Sequence, residues 1–91
     1  MTMRAIITVI GKDRVGIIAA ICNALADKNV NVLDISQTIL QDIFTMNMLV
    51  DISKLNCEFH LLVEALDAVG EQLGLSIRIQ REEIFDAMHR I

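Results

Sequence analysis

GKDRVGI, residues 11–17, joins two apolar segments with different periodicities. Residues 4–10 before it are mostly β-branched, which is typical of a strand, and residues 18–25 after it keep apolar side chains at helical spacing. The stretch therefore predicts a tight strand-to-helix turn, in which Gly11 and Gly16 allow backbone conformations that other residues avoid. Because the first turn of a helix presents unpaired N–H groups that favour anions, this turn is also a candidate ligand site.

The first helix is predicted to begin at residue 14 or 15 and to end at residue 28. Asp13 precedes it and is a candidate N-cap, because a carboxylate can accept from the first N–H groups of a helix. One apolar stripe at helical spacing is predicted to face a sheet, and it comprises Ile18, Ile21, Cys22 and Leu25. Alanines extend this surface sideways at Ala20 and Ala24, which indicates the close approach of another helix, most simply from a partner subunit.

The next two strands are predicted to form a hairpin. Residues 31–40 change the parity of their apolar positions between Val32 and Leu33, which indicates a bulge or bend. After a short turn at residues 41–42, a third strand alternates polar residues with apolar ones, which are Phe44, Met46, Met48 and Val50. A connection this short implies that the two strands are antiparallel.

A second helix and a last strand complete the pattern. The helix is predicted over residues 57–73, with Ser53 or Asn56 as the N-cap and Gly74 as the terminator. The strand is predicted over residues 75–80, where apolar and polar side chains alternate.

The element order is therefore β-α-β-β-α-β, followed by an amphipathic C-terminal helix over residues 82–91. This order predicts an α+β, ferredoxin-like fold, with two helices on one face of a four-stranded antiparallel sheet. The first strand, over residues 3–10, is apolar on both faces and should be central and covered on both sides. We expect one domain over residues 1–91, with a core at 3–81. The C-terminal helix is too short to be stable alone and should dock on the outer face of the sheet or on a partner.

Composition limits the possible partners. Of the 91 residues, 54% are hydrophobic, which is more than a small monomer can bury, so we expect a homodimer or higher homo-oligomer. The net charge is −4 without a basic cluster, which argues against a nucleic-acid partner. The longest apolar run, residues 15–22, is too short to span a bilayer, so no membrane partner is expected. The N-terminus has no signal-peptide pattern, so we expect a cytoplasmic protein.

Few residues could carry catalytic or metal chemistry. A metal-chaperone function requires a Cys-x-x-Cys turn, whereas Cys22 and Cys57 are expected to be small, buried or half-buried apolar residues. An RNA-binding function requires stacking aromatic residues, of which the chain has three in all. A phosphatase function would depend on Arg14 with Asn47 or Asn31. Because no nucleophile–base pair, metal cluster or nucleotide loop is visible, we expect no enzyme, no metal site and no cofactor.

The turn and the start of the second strand resemble a known family. GKDRVGI at residues 11–17, with NVNV at residues 29–32 and DISQT at residues 34–38, resembles the ACT-domain family over about residues 3–81. The tail is similar to that of stand-alone ACT proteins of bacteria and archaea, and the chain is also similar to the ACT repeats of the glycine-cleavage-system transcriptional repressor.

The resemblance implies a ligand site between two subunits. It places an amino acid between the first strand-helix turn of one subunit and the start of the second strand of its neighbour. The implied ligand-binding residues are Gly11, Asp13, Arg14, Val15, Gly16 and Ile17 on one side, and Asn31 and Val32 on the other. The chemistry is compatible, since helix N–H groups suit a carboxylate, Asp13 can accept from an ammonium group, and Asn31 can donate and accept.

Two functions are therefore expected. The first is a non-catalytic regulatory module that senses an amino acid or similar small metabolite at a homodimer interface. The alternative is a structural or protein-interaction module of the same fold that binds another protein and no ligand.

Overall fold

The computed structural model describes residues 3–82, which form four strands and two helices. In chain order the elements are β1 (Arg4–Lys12), α1 (Ile17–Asp27), β2 (Asn31–Leu40), β3 (Ile43–Asp51), α2 (Phe59–Leu73) and β4 (Leu75–Arg81). The predicted C-terminal helix over residues 82–91 falls, apart from Glu82, outside the described residues.

The strands form one antiparallel sheet in the order β2-β3-β1-β4. This confirms the ferredoxin-like α+β arrangement, with β1 and β3 in the centre and β2 and β4 at the edges. The predicted bulge is confirmed, because the pairing with β3 shifts by one residue between Val32 and Asp34. The hairpin turn is also confirmed, and Gln41 adopts a positive φ of 58° within it.

The hydrophobic core lies between one face of the sheet and the two helices. The sheet supplies alternate residues of its central strands, including Ile7 and Met48, as the alternating pattern of β3 predicted. The helices supply buried residues one or two turns apart, and these are Ile17, Ile21 and Leu25 of α1 and Leu62 and Leu66 of α2. Tight packing of these side chains fixes both helices on the same side.

The start of α1 differs from the prediction. The helix begins at Ile17, and its N-cap is Gly16, with φ 95° and no side-chain cap. The prediction that Asp13 caps the helix is therefore wrong, because Asp13 lies three residues before the N-cap position. Its N–H donates to the Asp42 carbonyl at 2.8 Å and prolongs the strand pairing. The buried stripe also differs from the prediction, since Ile17 is buried and Ile18 is 36% exposed.

The start of α2 was also predicted too early. The N-cap is Glu58 and not Ser53 or Asn56. Asn56 instead binds the end of α1, since its side-chain amide donates to the Asp27 carbonyl at 2.9 Å. At the other end Gly74 caps the helix with φ 71°, as predicted.

Only one face of the sheet is covered by the described residues. We call the other side the open face; it carries Ile6, Thr8 and Ile10 of β1 and their neighbours on the adjoining strands. Ile10 is 49% exposed on this side. The prediction that β1 is covered on both sides is therefore not met within residues 3–82, because both helices follow right-handed crossovers to the same face.

Candidate functional site

The turn between β1 and α1 ends at a glycine with a left-handed backbone conformation. Gly16 has φ 95°, a region that side chains with a Cβ rarely adopt. Its carbonyl accepts from the Ala20 N–H at 3.0 Å, which closes the first turn of α1. The N–H groups ahead of that first bond have no partner within the helix, so the turn presents donors to whatever binds beside it.

A pocket of about 440 Å³ lies beside this turn, and we call it the turn pocket. It lies on the helix side of the sheet, where the first turn of α1 stands next to the uncovered edge strand β2. Its lining residues are Asp13, Arg14, Val15, Gly16, Ile17, Ile18, Ala19, Gln37, Ile39 and Phe44. A volume of this size is sufficient for a small metabolite.

The walls of the turn pocket combine apolar and polar groups. Val15 is 99% exposed and Ile39 is 51% exposed, while the buried Phe44 forms the base. Asp13 and Arg14 are exposed and bring one negative and one positive charge to the rim. Together with the N–H groups of the first turn of α1, these residues can bind a zwitterion: the N–H groups and Arg14 suit a carboxylate, and Asp13 suits an ammonium group.

Gly11 has a packing role in this chain. It lies in β1 opposite Leu75 of β4, and a Cβ at this position would come within 2.4 Å of the Leu75 Cδ2 atom. It is absent from the lining of the turn pocket, whereas the other residues predicted in the first turn all contribute to the lining. Gly11 therefore makes room for the β4 side chain that packs over it.

Asn31 and Val32, the other half of the predicted site, lie at the opposite end of the sheet. Asn31 pairs with Asp51, which pairs with Arg4 at the beginning of β1. Eight residues of β1 separate Arg4 from Lys12, a distance of roughly 26 Å at 3.3 Å per residue. One chain therefore does not bring the two halves of the predicted site together.

Comparison with known proteins identifies the family to which this fold and turn belong. A family model described as the ACT domain matches residues 4–80. The chain belongs to the ACT-domain family. ACT domains are generally regulatory ligand-binding modules. A UPF0237 protein of Listeria innocua is 53% identical over 89 residues, which are 98% of this chain and 100% of that protein.

Solved structures similar to this ACT domain include proteins with one and with several domains. An ACT domain protein from Streptococcus pneumoniae has a TM-score of 0.80 and 41% identity, over 93% of this chain and 96% of that one. A putative glycine cleavage system transcriptional repressor has a TM-score of 0.75 and 28% identity, over 89% of this chain and 46% of that one. The same fold is therefore used both alone and as part of a longer chain.

Sequence reasoning missed Ile18 and Ala19 of α1, which line the turn pocket directly after the predicted turn. It also missed three lining residues that are distant in the chain, namely Gln37, Ile39 and Phe44. Gln37, Ile39 and Phe44 lie near the turn of the β2–β3 hairpin, which is next to the β1–α1 turn in this ACT domain. Gln37 pairs with Met46, and Ile39 pairs with Phe44, so all four side chains share the helix side of the sheet. Their alternation was visible in the sequence, but their position beside α1 depends on strand order.

Asn31 borders a second hollow, of about 400 Å³, at the other end of the ACT domain. Its polar lining includes Asn29, Asp51, Ser53 and Lys54. The Asn29 amide donates to the Lys54 carbonyl at 2.8 Å, which links the end of α1 to the loop after β3. The Ser53 N–H donates to the Asp51 Oδ1 atom at 2.9 Å, and this bond is the main reason that the pKa of Asp51 lies below its ordinary value.

Asp51→Asn is expected to reduce the acid sensitivity of the fold. Because the pKa of Asp51 is lowered in the folded state, its stabilising contribution is present above the pKa of the unfolded chain. That contribution is lost as the pH falls through the lower, folded-state pKa. Thermal melts should show the wild type more stable than the variant near neutral pH, and equal to it in strong acid. A difference that stays constant over the whole titration would contradict this prediction.

Three alternative roles can be compared with the described residues: a phosphatase site, a metal site and a membrane span. Arg14 lies in the turn, whereas Asn47 lies on the open face, where its side-chain oxygen accepts from the Thr8 hydroxyl at 3.3 Å. Within residues 3–82 there is no group of three or more side chains that could hold a metal ion. None of the helices described is long and apolar enough to cross a membrane.

Proposed function

We propose that this ACT domain is a non-catalytic regulatory module that binds an amino acid or a similar small metabolite between two copies of the chain. The observation that carries the proposal is the turn pocket, which combines helix N–H groups, Asp13 and Arg14 with an apolar wall that is open to solvent. Asn31 and Val32 of the neighbouring copy are the residues expected to close it. A pocket completed across an interface couples ligand binding to assembly, which is a direct route to regulation.

The polar groups of the turn pocket account for a preference for amino acids. The N–H groups of the first turn of α1 would receive the α-carboxylate, and the Asp13 carboxylate would receive the α-ammonium group. Val15 and Ile39 leave apolar space for a small side chain. The amide of Asn31 from the second copy would supply one further donor and acceptor.

The exposed edge of the sheet supports a homodimer. β2 is ten residues long, and within residues 3–82 no further strand pairs with its outer edge. Four of its large apolar side chains are 40–73% exposed. These are Leu33, Ile35, Ile39 and Leu40. An edge strand of this kind is normally paired or covered, and a second copy of the same edge would do both. We expect this assembly to act in the cytoplasm.

A thermal-shift panel of the twenty amino acids tests the proposal. A ligand at ten times its Kd should stabilise the protein by about 1.4 kcal/mol, which corresponds to about 6–11 °C for a domain of this size. We expect one or a few small amino acids to raise the melting temperature at millimolar concentration. A panel in which no amino acid shifts the transition would exclude amino-acid sensing.

The exposed apolar side chains of β2 also favour a second candidate, a protein-interaction module without a small ligand. In that case Ile35 and Ile39 would contact a different protein instead of a second copy. Recovery of one stoichiometric partner from lysate, together with a flat amino-acid panel and a monomer by light scattering, would favour this candidate. A ligand-dependent melting temperature in a purified homodimer would favour the first.

A further inference from the structure

The open face of the sheet contains a hollow that the proposed ligand site does not use. Its volume is about 210 Å³, and the paired residues Ile6 and Leu49 provide its apolar walls. Asp34 of the edge strand β2 borders it. Further apolar side chains are exposed on the same face at Ile10 (49%) and Ile43 (48%). Apolar side chains that are exposed together on one face mark an interaction surface.

The chain leaves this hollow uncovered as far as residue 82. Both helices pack on the other side of the sheet, and β4 runs along β1 past Ile6, which pairs with Gln80. At Glu82 the chain has passed Ala5 and reached the beginning of β1, where the Arg4 guanidinium group contacts the Glu82 carboxylate. This course leads away from the hollow, which favours an occupant from outside the chain.

The charges of the open face are divided between its two halves. Among the described residues, β1 and β4 with the adjoining Glu82 carry three cations and one anion on this face, which are Arg4, Lys12, Arg78 and Glu82. The other half, β2 and β3, carries two anions, which are Asp34 and Asp51. One half is therefore cationic and the other is anionic, which is the pattern of a surface that is complementary to itself.

Two-fold symmetry brings the opposite halves together. An axis parallel to the strands, between β1 and β3, places β4 of one copy over β2 of the other and β1 over β3. Ile6 of one copy then lies over Leu49 of the other, because these two residues are paired in the ladder. Arg78 of one copy lies two residues, or about 7 Å along the strands, from Asp34 of the other. An axis across the strands would instead place β2 over β2 and like charges together.

The size of the open face is sufficient for a specific interface. The central strands β1 and β3 each have nine residues, which is about 30 Å in length. Four strands span about 19 Å across the sheet, so each copy contributes about 570 Å². Two copies together bury about 1,100 Å², and a specific interface requires about 1,000 Å². Packed sheets of this kind keep their strand directions aligned within about 30°.

We propose that the open faces of two copies pack against each other about this axis, with Ile6 of each copy in the hollow of the other. Arg78 lies beside this contact and reaches Asp34 at the border of the hollow. The hydrophobic content of 54%, which is more than a small monomer can bury, supports a second copy as the occupant. This interface is separate from the β2 edge and from the turn pocket, so it does not depend on the proposed function.

Sedimentation of the full-length protein tests the interface. Leu49→Asp places a charge at its centre and should halve the mass of the assembly. Leu61→Asp, a matched change at a 42% exposed leucine of α2, should leave the mass unchanged. A tetramer that becomes a dimer supports this interface and the β2 edge, whereas a dimer that becomes a monomer supports this interface alone. A wild-type monomer, or a mass that Leu49→Asp leaves unchanged, would overturn the proposal and mean that another protein or another part of the same chain covers the face.

An exchange of charges between Asp34 and Arg78 tests the symmetry. Asp34→Arg alone and Arg78→Asp alone each place like charges together twice in a dimer, and each should weaken by about tenfold the association that Leu49→Asp abolishes. An equimolar mixture of the two variants forms dimers in which both pairs again have opposite charges, so the mixture should recover the wild-type association. Weakening by only one of the variants, or association that stays weak in the mixture, would overturn the proposal.

Discussion

Gly70→Ala is expected to lower the melting temperature by about 5–20 °C. A Cβ at this position would stand 2.7 Å from the Leu75 carbonyl oxygen, which is a backbone atom. The helix and strand cannot move apart easily, since only Gly74 separates α2 from β4. Overpacking of this kind costs about 1–3 kcal/mol, and each kcal/mol is worth about 4–8 °C in a domain of this size.

The sign of this effect distinguishes tertiary packing from helix propensity. Within an isolated helix, alanine is favoured over glycine by about 1 kcal/mol, so propensity alone predicts that Gly70→Ala stabilises the protein. Gln72→Ala, at an exposed position of the same helix, is the control and should change stability by less than about 0.5 kcal/mol. A melting temperature that rises in Gly70→Ala would show that the close approach to the Leu75 carbonyl costs less than the gain in helix propensity.

Ala19→Leu and Asn31→Ala are each expected to abolish or strongly weaken ligand binding if the turn pocket is completed by a second copy. Ala19 is exposed and lines the pocket, so a leucine there fills the ligand's space without disturbing the core. Asn31→Ala removes a polar partner of the ligand, and a lost hydrogen bond that leaves its partner unpaired costs about 1–3 kcal/mol, or about 5- to 150-fold in affinity. Calorimetric titration with the amino acid found in the thermal panel measures both.

Mixing the two variants provides the decisive comparison. In a mixed dimer, the turn of the Asn31→Ala chain meets the β2 start of the Ala19→Leu chain, and both of these surfaces are unaltered. One of the two sites of that dimer is therefore intact, so mixing after unfolding and refolding should restore part of the binding. Binding that is not restored by mixing would contradict a site shared between two copies.

Matched controls separate these effects from loss of structure. Asn23→Leu places a leucine at an exposed position of α1 outside the lining of the turn pocket, and should bind ligand normally. Asn29→Ala alters a residue close to Asn31 and breaks the bond to the Lys54 carbonyl, so it reports the structural cost of a change in that hollow. Loss of binding in Asn23→Leu would show that the effect of Ala19→Leu is not specific to the pocket.

Local patterns in the sequence predicted most of the fold. Alternation identified β3, helical spacing identified both helices, and the parity change after Val32 located the bulge that the β2–β3 pairing shows. Gly74 marked the end of α2, where the chain adopts φ 71°. These features were predictable because each depends on residues that are close together in the chain.

The helix starts were not predictable in the same way. Asp13 has the side chain of an N-cap, yet its N–H pairs with Asp42, which lies 29 residues further along the chain. That bond extends the β1–β3 pairing by one residue beyond the ladder, and α1 begins only at Ile17, after its N-cap Gly16. A local cap signal was therefore overridden by a long-range strand pairing, which no local pattern reveals.

The candidate site likewise has one part that depends on neighbouring residues and one part that depends on contacts between distant segments. The sequence by itself located the strand-to-helix turn that forms its first half, within residues 11–17, because a β-branched run, two glycines and a helical apolar pattern follow one another directly. Only the tertiary structure placed Gln37, Ile39 and Phe44 in the wall of that pocket, moved Gly11 into the packing against Leu75, and set Asn31 at the far end of the sheet. The physical reason is that strand order and register arise from contacts between distant segments, whereas turns and helices arise from neighbours.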